Sequence, residues 1–433
     1  MNTNKSRIAI LAIVLGLMSS RVEAVMCALD DVPAATLLLP YFEVTLSPPP
    51  VTGTTTLISI NNASREATLA HVTLWTDWSI PTVSFDIYLT GYDVQTINLY
   101  DLFTFGNLPI TADYASDPRD QISHQGRFSE DRTYPGCPGF FVLMANPVLQ
   151  QAFLDFLGPA HSGRPYEVSG VERYFSKHYV NDVIPTARGY ITVDSVSSCS
   201  LAFPSDPGYF LEQGLGIAND ANNLWGDYYL VDLSAGTAIG DRLVQIEADS
   251  SFDSHATETS YTFYGRYTYP AGADHREPLG TVWGSRSIVG LGSSEVVVWR
   301  DPTSPDARSV GYLAGQKPDW VPLEENEVMA FDEQENAVEL CLGANPCFEA
   351  ATGRYSLSAG SIGNPFPFGW LHMNLNLPPW SPGLHLQFPA YSPFGSISQS
   401  FVSEVHTIGT LQAGMSSLQL GSACSLTSSE VDP

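Results

Sequence analysis

Ala67-Thr-Leu-Ala-His-Val-Thr-Leu-Trp-Thr76, followed after a short break by Val83-Ser-Phe-Asp-Ile-Tyr-Leu-Thr90, decides how the chain is read. In the first run Ala70, Val72 and Leu74 alternate with His71, Thr73 and Trp75. In the second Val83, Phe85, Ile87 and Leu89 alternate with Ser84, Asp86, Tyr88 and Thr90. A period of two sends successive side chains to opposite faces of a strand, so each run predicts one aliphatic face and one polar, aromatic face. Turn clusters bound the runs, Asn61-Asn-Ala-Ser64 before them and Gly91-Tyr-Asp93 after, and Ser47-Pro-Pro-Pro50 punctuates an earlier hairpin. Short strands at this spacing suggest antiparallel β-sandwich structure.

Working outward, further strands are expected at Tyr228–Asp232, Leu243–Glu247, Tyr261–Tyr269, Glu295–Trp299, Phe401–His406 and Ser417–Leu420. The stretch from Phe105 to Gly139 is polar and turn-rich and reads as a long surface loop. One helix is expected from Asn146, a capping residue followed by Pro147, to a stop at Gly158. The fold class that results is all-β: two antiparallel β-sandwich domains with one short helix. The expected organisation is a signal peptide over residues 1–24, an N-terminal sandwich over 25–200 and a C-terminal sandwich over 201–433.

The leader expectation rests on Lys5 and Arg7, the apolar run Ile8 to Met18, and Val22-Glu-Ala24 as a small-x-small cleavage site. Export is therefore expected, to the periplasm, the cell surface or the medium. No later stretch reads as a membrane helix. The whole chain of 433 residues carries a net charge of -27 and only three lysines, Lys5, Lys177 and Lys317. That balance argues against a nucleic-acid binder, which needs a basic face for phosphates.

Six cysteines behind an export signal favour disulfides. Cys341 and Cys347 flank a short loop and are expected to pair; Cys137 with Cys199 and Cys27 with Cys424 are the remaining pairings proposed. Zinc is disfavoured, since there is no CxxC pair and the nine histidines are scattered. The familiar catalytic signatures (GxSxG, HExxH, GxxxxGK[ST], GxGxxG) are missing, although glycosidase carboxylates carry no fixed local pattern.

Three features invite a function. Asp332, Glu333, Glu335 and Asn336 group hard oxygen ligands of the kind calcium takes, without the EF-hand spacing; a solvated acidic face is the simpler reading. His71, Trp75 and Tyr88 lie on the polar side of the first strands, where aromatic rings beside polar groups would stack on a sugar, unless another layer covers them. Arg266, Arg276, Arg286, Arg300 and Arg308 gather in the second half, with Arg276-Glu277 and Arg300-Asp301 adjacent, which suggests interior ion pairs or a site for an anionic ligand. Asn62-Ala-Ser64 matches a glycosylation acceptor.

Asp31-Val-Pro-Ala-Ala-Thr-Leu-Leu-Leu-Pro-Tyr-Phe42, Thr73-Leu-Trp-Thr-Asp77, Leu89-Thr-Gly-Tyr-Asp-Val94, Phe263-Tyr-Gly-Arg-Tyr267, Val298-Trp-Arg-Asp301, Phe331-Asp-Glu-Gln-Glu-Asn336 and Phe368-Gly-Trp370 resemble blocks in uncharacterised secreted bacterial proteins. The first part is similar to the immunoglobulin-like modules of bacterial surface proteins. The resemblance implies fold and compartment and supplies no catalytic residues. The expected function is an exported non-enzymatic β-sandwich protein with a surface-adhesion, envelope-structural or ligand-binding role. Glycans or envelope components are the expected partners, and no cofactor is expected unless calcium. The alternative is a secreted polysaccharide hydrolase with paired carboxylates.

Overall fold

The computed structural model describes residues 31–47, 52–108, 146–179, 182–210, 216–249, 262–268, 274–302, 310–321, 323–341, 346–358, 362–377 and 398–422. The leader, Cys27, Cys137, Cys424, Arg308 and most of the expected 105–139 loop lie outside these residues.

The fold is all-β, built from antiparallel sheets. In the N-terminal unit a five-stranded sheet takes, in spatial order, β11 (Val244–Ile246), β1 (Thr36–Thr45), β8 (Thr186–Val196), β3 (Thr68–Thr76) and β4 (Pro81–Leu89). A four-stranded sheet takes β10 (Thr237–Arg242), β9 (Leu224–Asp232), β2 (Thr54–Asn62) and β5 (Val94–Asn98). The aliphatic positions that define the sequence pattern, Ala70, Val72 and Leu74 on β3 and Val83, Phe85, Ile87 and Leu89 on β4, enter one core with Leu37 and Leu39 of β1 and Ile58 and Ile60 of β2. Both sheets draw strands from either side of residue 200: β1 pairs with β8 and β11, and β2 with β5 and β9.

Two helices are described. The first, α1 (Leu99–Phe105), was not expected; Asn98 caps it by accepting from the Tyr100 amide, and Gly106 ends it with φ 65°. The second, α2 (Pro147–Ser162), begins as the sequence implies, with Asn146 accepting from the Val148 amide. It does not stop at Gly158. It runs through Pro159, giving up one backbone hydrogen bond, because the turn beyond is held by packing: Leu157 and Ala160 are buried, and His161 bonds Thr82 Oγ1 at 2.7 Å and the Arg188 carbonyl at 3.0 Å. Burial keeps this imidazole neutral, its pKa pushed down to about 4. The helix stops at Gly163, φ 67°, where a Cβ would lie 2.1 Å from the Lys177 carbonyl oxygen.

The remaining large sheet has nine strands. Its path runs β15 (Ala337–Glu339), β14 (Glu327–Phe331), β17 (Gly369–Asn374), β12 (Gly280–Ser287), β18 (Ser400–Ile408), β13 (Ser293–Arg300) and β16 (Thr352–Ser356). Strand β19 (Leu411–Ser416) adds to β18, and β20 (Leu418–Ser422) adds to β12. Strands β12 and β18 meet at one residue pair, Gly280 and Ser400. Beyond it the two go to different partners, so the sheet divides into two limbs. Trp283, Leu371 and Met373 from one limb and Val296, Trp299 and Val402 from the other share a core, which gives the sheet a sandwich-like interior.

The expected strand at Tyr261–Tyr269 is instead a series of turns over its described part. Gly265 and Tyr267 donate their amides to the Thr262 and Tyr264 carbonyls at 2.9 and 2.8 Å, and the aromatic residues that made the segment read as a strand, Phe263, Tyr264 and Tyr267, pack ring against ring.

Candidate functional site

The polar face of β3 and β4 is not a surface. His71, Trp75 and Tyr88 are all buried. The core that holds Trp75, Tyr190, Val244 and Ile246 is the same core that holds Trp283 and Trp299 of the nine-stranded sheet, so one unit closes over the other. Trp75 stacks on Tyr190 with centroids 5.6 Å apart and an interplanar angle of 1°, and Tyr190 meets Trp299 edge-on at 5.8 Å. Trp75 Nε1 donates to Thr192 Oγ1 at 2.9 Å. His71 Nδ1 lies 2.6 Å from Asp86 Oδ1, whose second oxygen accepts from the Ser200 amide at 2.9 Å. The expected sugar-stacking face is thus corrected to an interior seam, because a large aromatic surface gains most by being covered.

The seam also explains the arginines. Arg276 is fully buried and donates to Thr36 Oγ1, to the Asp274 carbonyl at 2.7 Å and to the Asn219 carbonyl at 3.1 Å. Thr36 Oγ1 in turn donates to Asp194 Oδ1 at 2.5 Å, while Tyr209 and Tyr264 donate to Asp194 Oδ2 at 2.8 and 3.0 Å. Arg266 pairs with Asp301 at 3.1 Å, Arg286 with Glu404 at 2.7 Å, and Arg300 lies 3.9 Å from Glu325. For Arg266, Arg276 and Arg300 the pairing is interior, as the sequence implied, with different partners; Arg286 is an exposed side chain whose partner Glu404 is buried. Neighbours in extended chain point to opposite sides, so Arg276-Glu277 and Arg300-Asp301 do not pair with each other.

Asp77, just past β3, is a buried carboxylate outside these arginine pairs. Its oxygens accept from the Lys177 amide at 3.0 Å and the Tyr179 hydroxyl at 2.9 Å, yet burial dominates and raises its pKa to about 6. The free-chain value lies lower, near 3.8. Ionisation in the folded state is therefore the costly event, and its contribution to stability is lost as pH rises from about 4 through 6. The full span amounts to about 3 kcal/mol at about 1.4 kcal/mol per unit. Asp77→Asn should gain on wild type by up to that amount between pH 4 and pH 7 in urea unfolding; parallel stability curves would show that Asp77 ionises freely.

The acidic hairpin is a turn. Asp332 Oδ1 accepts from the Gln334 and Asn336 amides at 2.8 and 2.9 Å, and Oδ2 accepts from Asn336 Nδ2 at 2.7 Å. These bonds hold the Asp332 carboxyl below its usual range. The Asn336 amide group thus faces Asp332 as a donor. Asp332, Glu333 and Glu335 do not bring ligand oxygens together, and among the described residues the cluster with ligand spacing is Glu325, Cys341 and Cys347. Cys341 and Cys347 form the expected disulfide. Cys199 is disulfide-bonded as well. Asn62 is buried, its Nδ2 donating to the Glu66 and Thr90 carbonyls at 2.6 and 2.9 Å, so the glycosylation match is an internal brace.

What does face solvent is the outer side of the limb β14–β17–β12–β20. Register lays it out as a grid. One row runs Met329, His372, Gly284, Leu418, and the next runs Phe331, Trp370, Arg286. Phe331 and Trp370 stack at 4.4 Å and 10°, His372 meets Trp370 edge-on at 6.5 Å, and His372 Nδ1 stands 3.8 Å from Glu327 Oε2. Trp370 is 39% exposed, Leu418 60% and Leu420 48%. Gly284 is covered from the β20 side: a Cβ there would meet Leu420 Cδ1 at 3.5 Å and Leu418 Cβ at 3.9 Å. Arg286 is tied at the rim to the buried Glu404. Sequence reasoning missed this face, although Trp370, His372 and Asn374 alternate with Leu371 and Met373 as plainly as the strands that were read. No family model, curated protein or solved structure matches the chain.

Proposed function

We propose that the chain is an exported, non-catalytic β-sandwich protein of the cell envelope or surface that binds a neutral saccharide on the outer face of the β14–β17–β12–β20 limb. The observation that carries this reading is the solvent-facing Phe331–Trp370 stack. An exposed indole offers the apolar face that the C–H side of a sugar ring needs. His372, Glu327 and Arg286 at its margin supply donors and acceptors to fix orientation, the usual composition of a small-ligand site. The net charge of -27 favours an uncharged ligand over an anionic polymer. The leader-like N-terminus supports export, and the resemblance to immunoglobulin-like surface modules supports an adhesive or envelope role. A hydrolytic role draws less support: Asp194 and Asp301 face buried hydroxyl or cationic donors and Glu404 is held by Arg286, rather than any of them facing another across a groove.

The test is binding of the purified chain to immobilised neutral and acidic polysaccharides, with Trp370→Ala alongside and reducing ends assayed in the same samples. Retention on a neutral polysaccharide that falls about tenfold in the variant, a loss of about 1.4 kcal/mol, is expected. Retention unchanged by Trp370→Ala, retention confined to acidic polymers, or release of reducing ends would each overturn the proposal.

A further inference from the structure

Glu325 is out of place. Its side chain is 7% exposed; Oε1 accepts from the Cys347 amide at 2.6 Å, but Oε2 is buried with no hydrogen-bond partner. A stranded carboxylate oxygen carries a desolvation cost, and burial indeed raises the pKa of this group. The atoms beside it are the two sulfurs of the Cys341–Cys347 disulfide, all within 4.8 Å of one another. Arg300 sits 3.9 Å from Oε2, and its Nη1 and Nη2 also donate to the Leu323, Glu324 and Leu375 carbonyls.

We propose that the reduced form of this site binds a thiophilic divalent cation such as zinc through the Cys341 and Cys347 thiolates and Glu325. Two sulfurs on one tetrahedral zinc sit roughly 3.8 Å apart, given Zn–S distances of about 2.3 Å. The Cys341 and Cys347 Cα atoms, 5.3 Å apart, allow that separation by side-chain rotation. Glu325 is already oriented by the Cys347 amide, and its stranded oxygen becomes the third ligand. The charge closes: three anionic ligands and a divalent ion leave one negative charge, which the Arg300 guanidinium offsets. Cys341 and Cys347, partly buried, pack against the core containing Leu340 and Phe348. The fourth position stays open for water or a ligand.

The chemistry balances with a dithiol reductant. The reductant is oxidised to its own disulfide, two electrons break the Cys341–Cys347 bond, and two protons complete the thiols. Metal entry then displaces both protons. Disulfide and metal are thus alternative occupants of one place, so loading follows redox state. This inference stands independently of the saccharide surface.

The experiment uses the full chain, reduced with a dithiol, freed of reductant without air, and titrated with Cd²⁺ or Co²⁺. Native mass spectrometry and a chelator competition are the readouts, with far-UV circular dichroism as the folding control. One ion per reduced chain, none on the oxidised chain at the same concentration, and an affinity at least about tenfold weaker in Glu325→Gln are expected. Co²⁺ should also show thiolate charge-transfer absorption that Cys341→Ser with Cys347→Ser removes. Equal binding by the reduced double-serine variant, by the oxidised chain or by Glu325→Gln would overturn the site.

Discussion

Asp194→Ala should destabilise the folded chain by about 3–5 kcal/mol, the loss typical of removing one partner from a buried ion pair. The carboxylate accepts hydrogen bonds from Thr36, Tyr209 and Tyr264, and Arg276 reaches it through Thr36. Without it a guanidinium with almost no exposure loses its counter-charge, and three hydroxyls lose their acceptor. Urea unfolding followed by circular dichroism measures the effect. Asp194→Asn keeps the shape and one acceptor oxygen, so it should fall between wild type and the alanine variant. A loss below about 1 kcal/mol in Asp194→Ala would mean that water or neighbouring groups replace the carboxylate, and that the network does not brace the two units.

Trp75→Ala should cost a similar amount, about 3–5 kcal/mol, from lost transfer energy and the cavity left between Tyr190 and Thr192. Trp370→Ala, a partly exposed indole on an outer sheet face, should stay within about 1 kcal/mol of wild type. The pair separates an interior tryptophan from a surface one by thermal melting alone. If Trp75→Ala melts with wild type, the stack with Tyr190 is not a structural seam; if Trp370→Ala collapses, the outer face is serving the fold rather than a ligand.

The local pattern was legible where one face of a strand is apolar. Ala70, Val72 and Leu74 could be placed by period alone, and Asn146-Pro147 announced a helix start by its hydrogen-bonding capacity. What escaped depends on contacts between distant segments. Whether His71 and Trp75 face water or a second layer is decided by Trp299 and Tyr190, more than a hundred residues further on, and no period in β3 encodes that. The helix end at Gly163 was hidden because Gly158 and Pro159 are stronger stop signals in isolation than the burial of Leu157, Ala160 and His161 is visible in sequence. The exposed face was missed because its two aromatic rings, Phe331 and Trp370, come from different strands and meet only through the β14–β17 register. The Cys341–Cys347 bond could be foreseen from spacing, whereas Glu325 beside it could not, since no local pattern around Glu325 singles it out.

Strand β1 has no partner near it in sequence: Thr36 lies against Asp194 on one side and Ile246 on the other. During synthesis this makes the first strand a matter of timing. It emerges with both backbone edges open and keeps them open until chain more than a hundred residues downstream has followed. Closing loops of that length before any contact is rewarded slows folding, and open edges in the interval invite pairing with other chains. A gene cut at residue 200 would yield β1, β3, β4 and β8 with half of the opposing sheet missing, and would leave that product waiting for strands that never arrive.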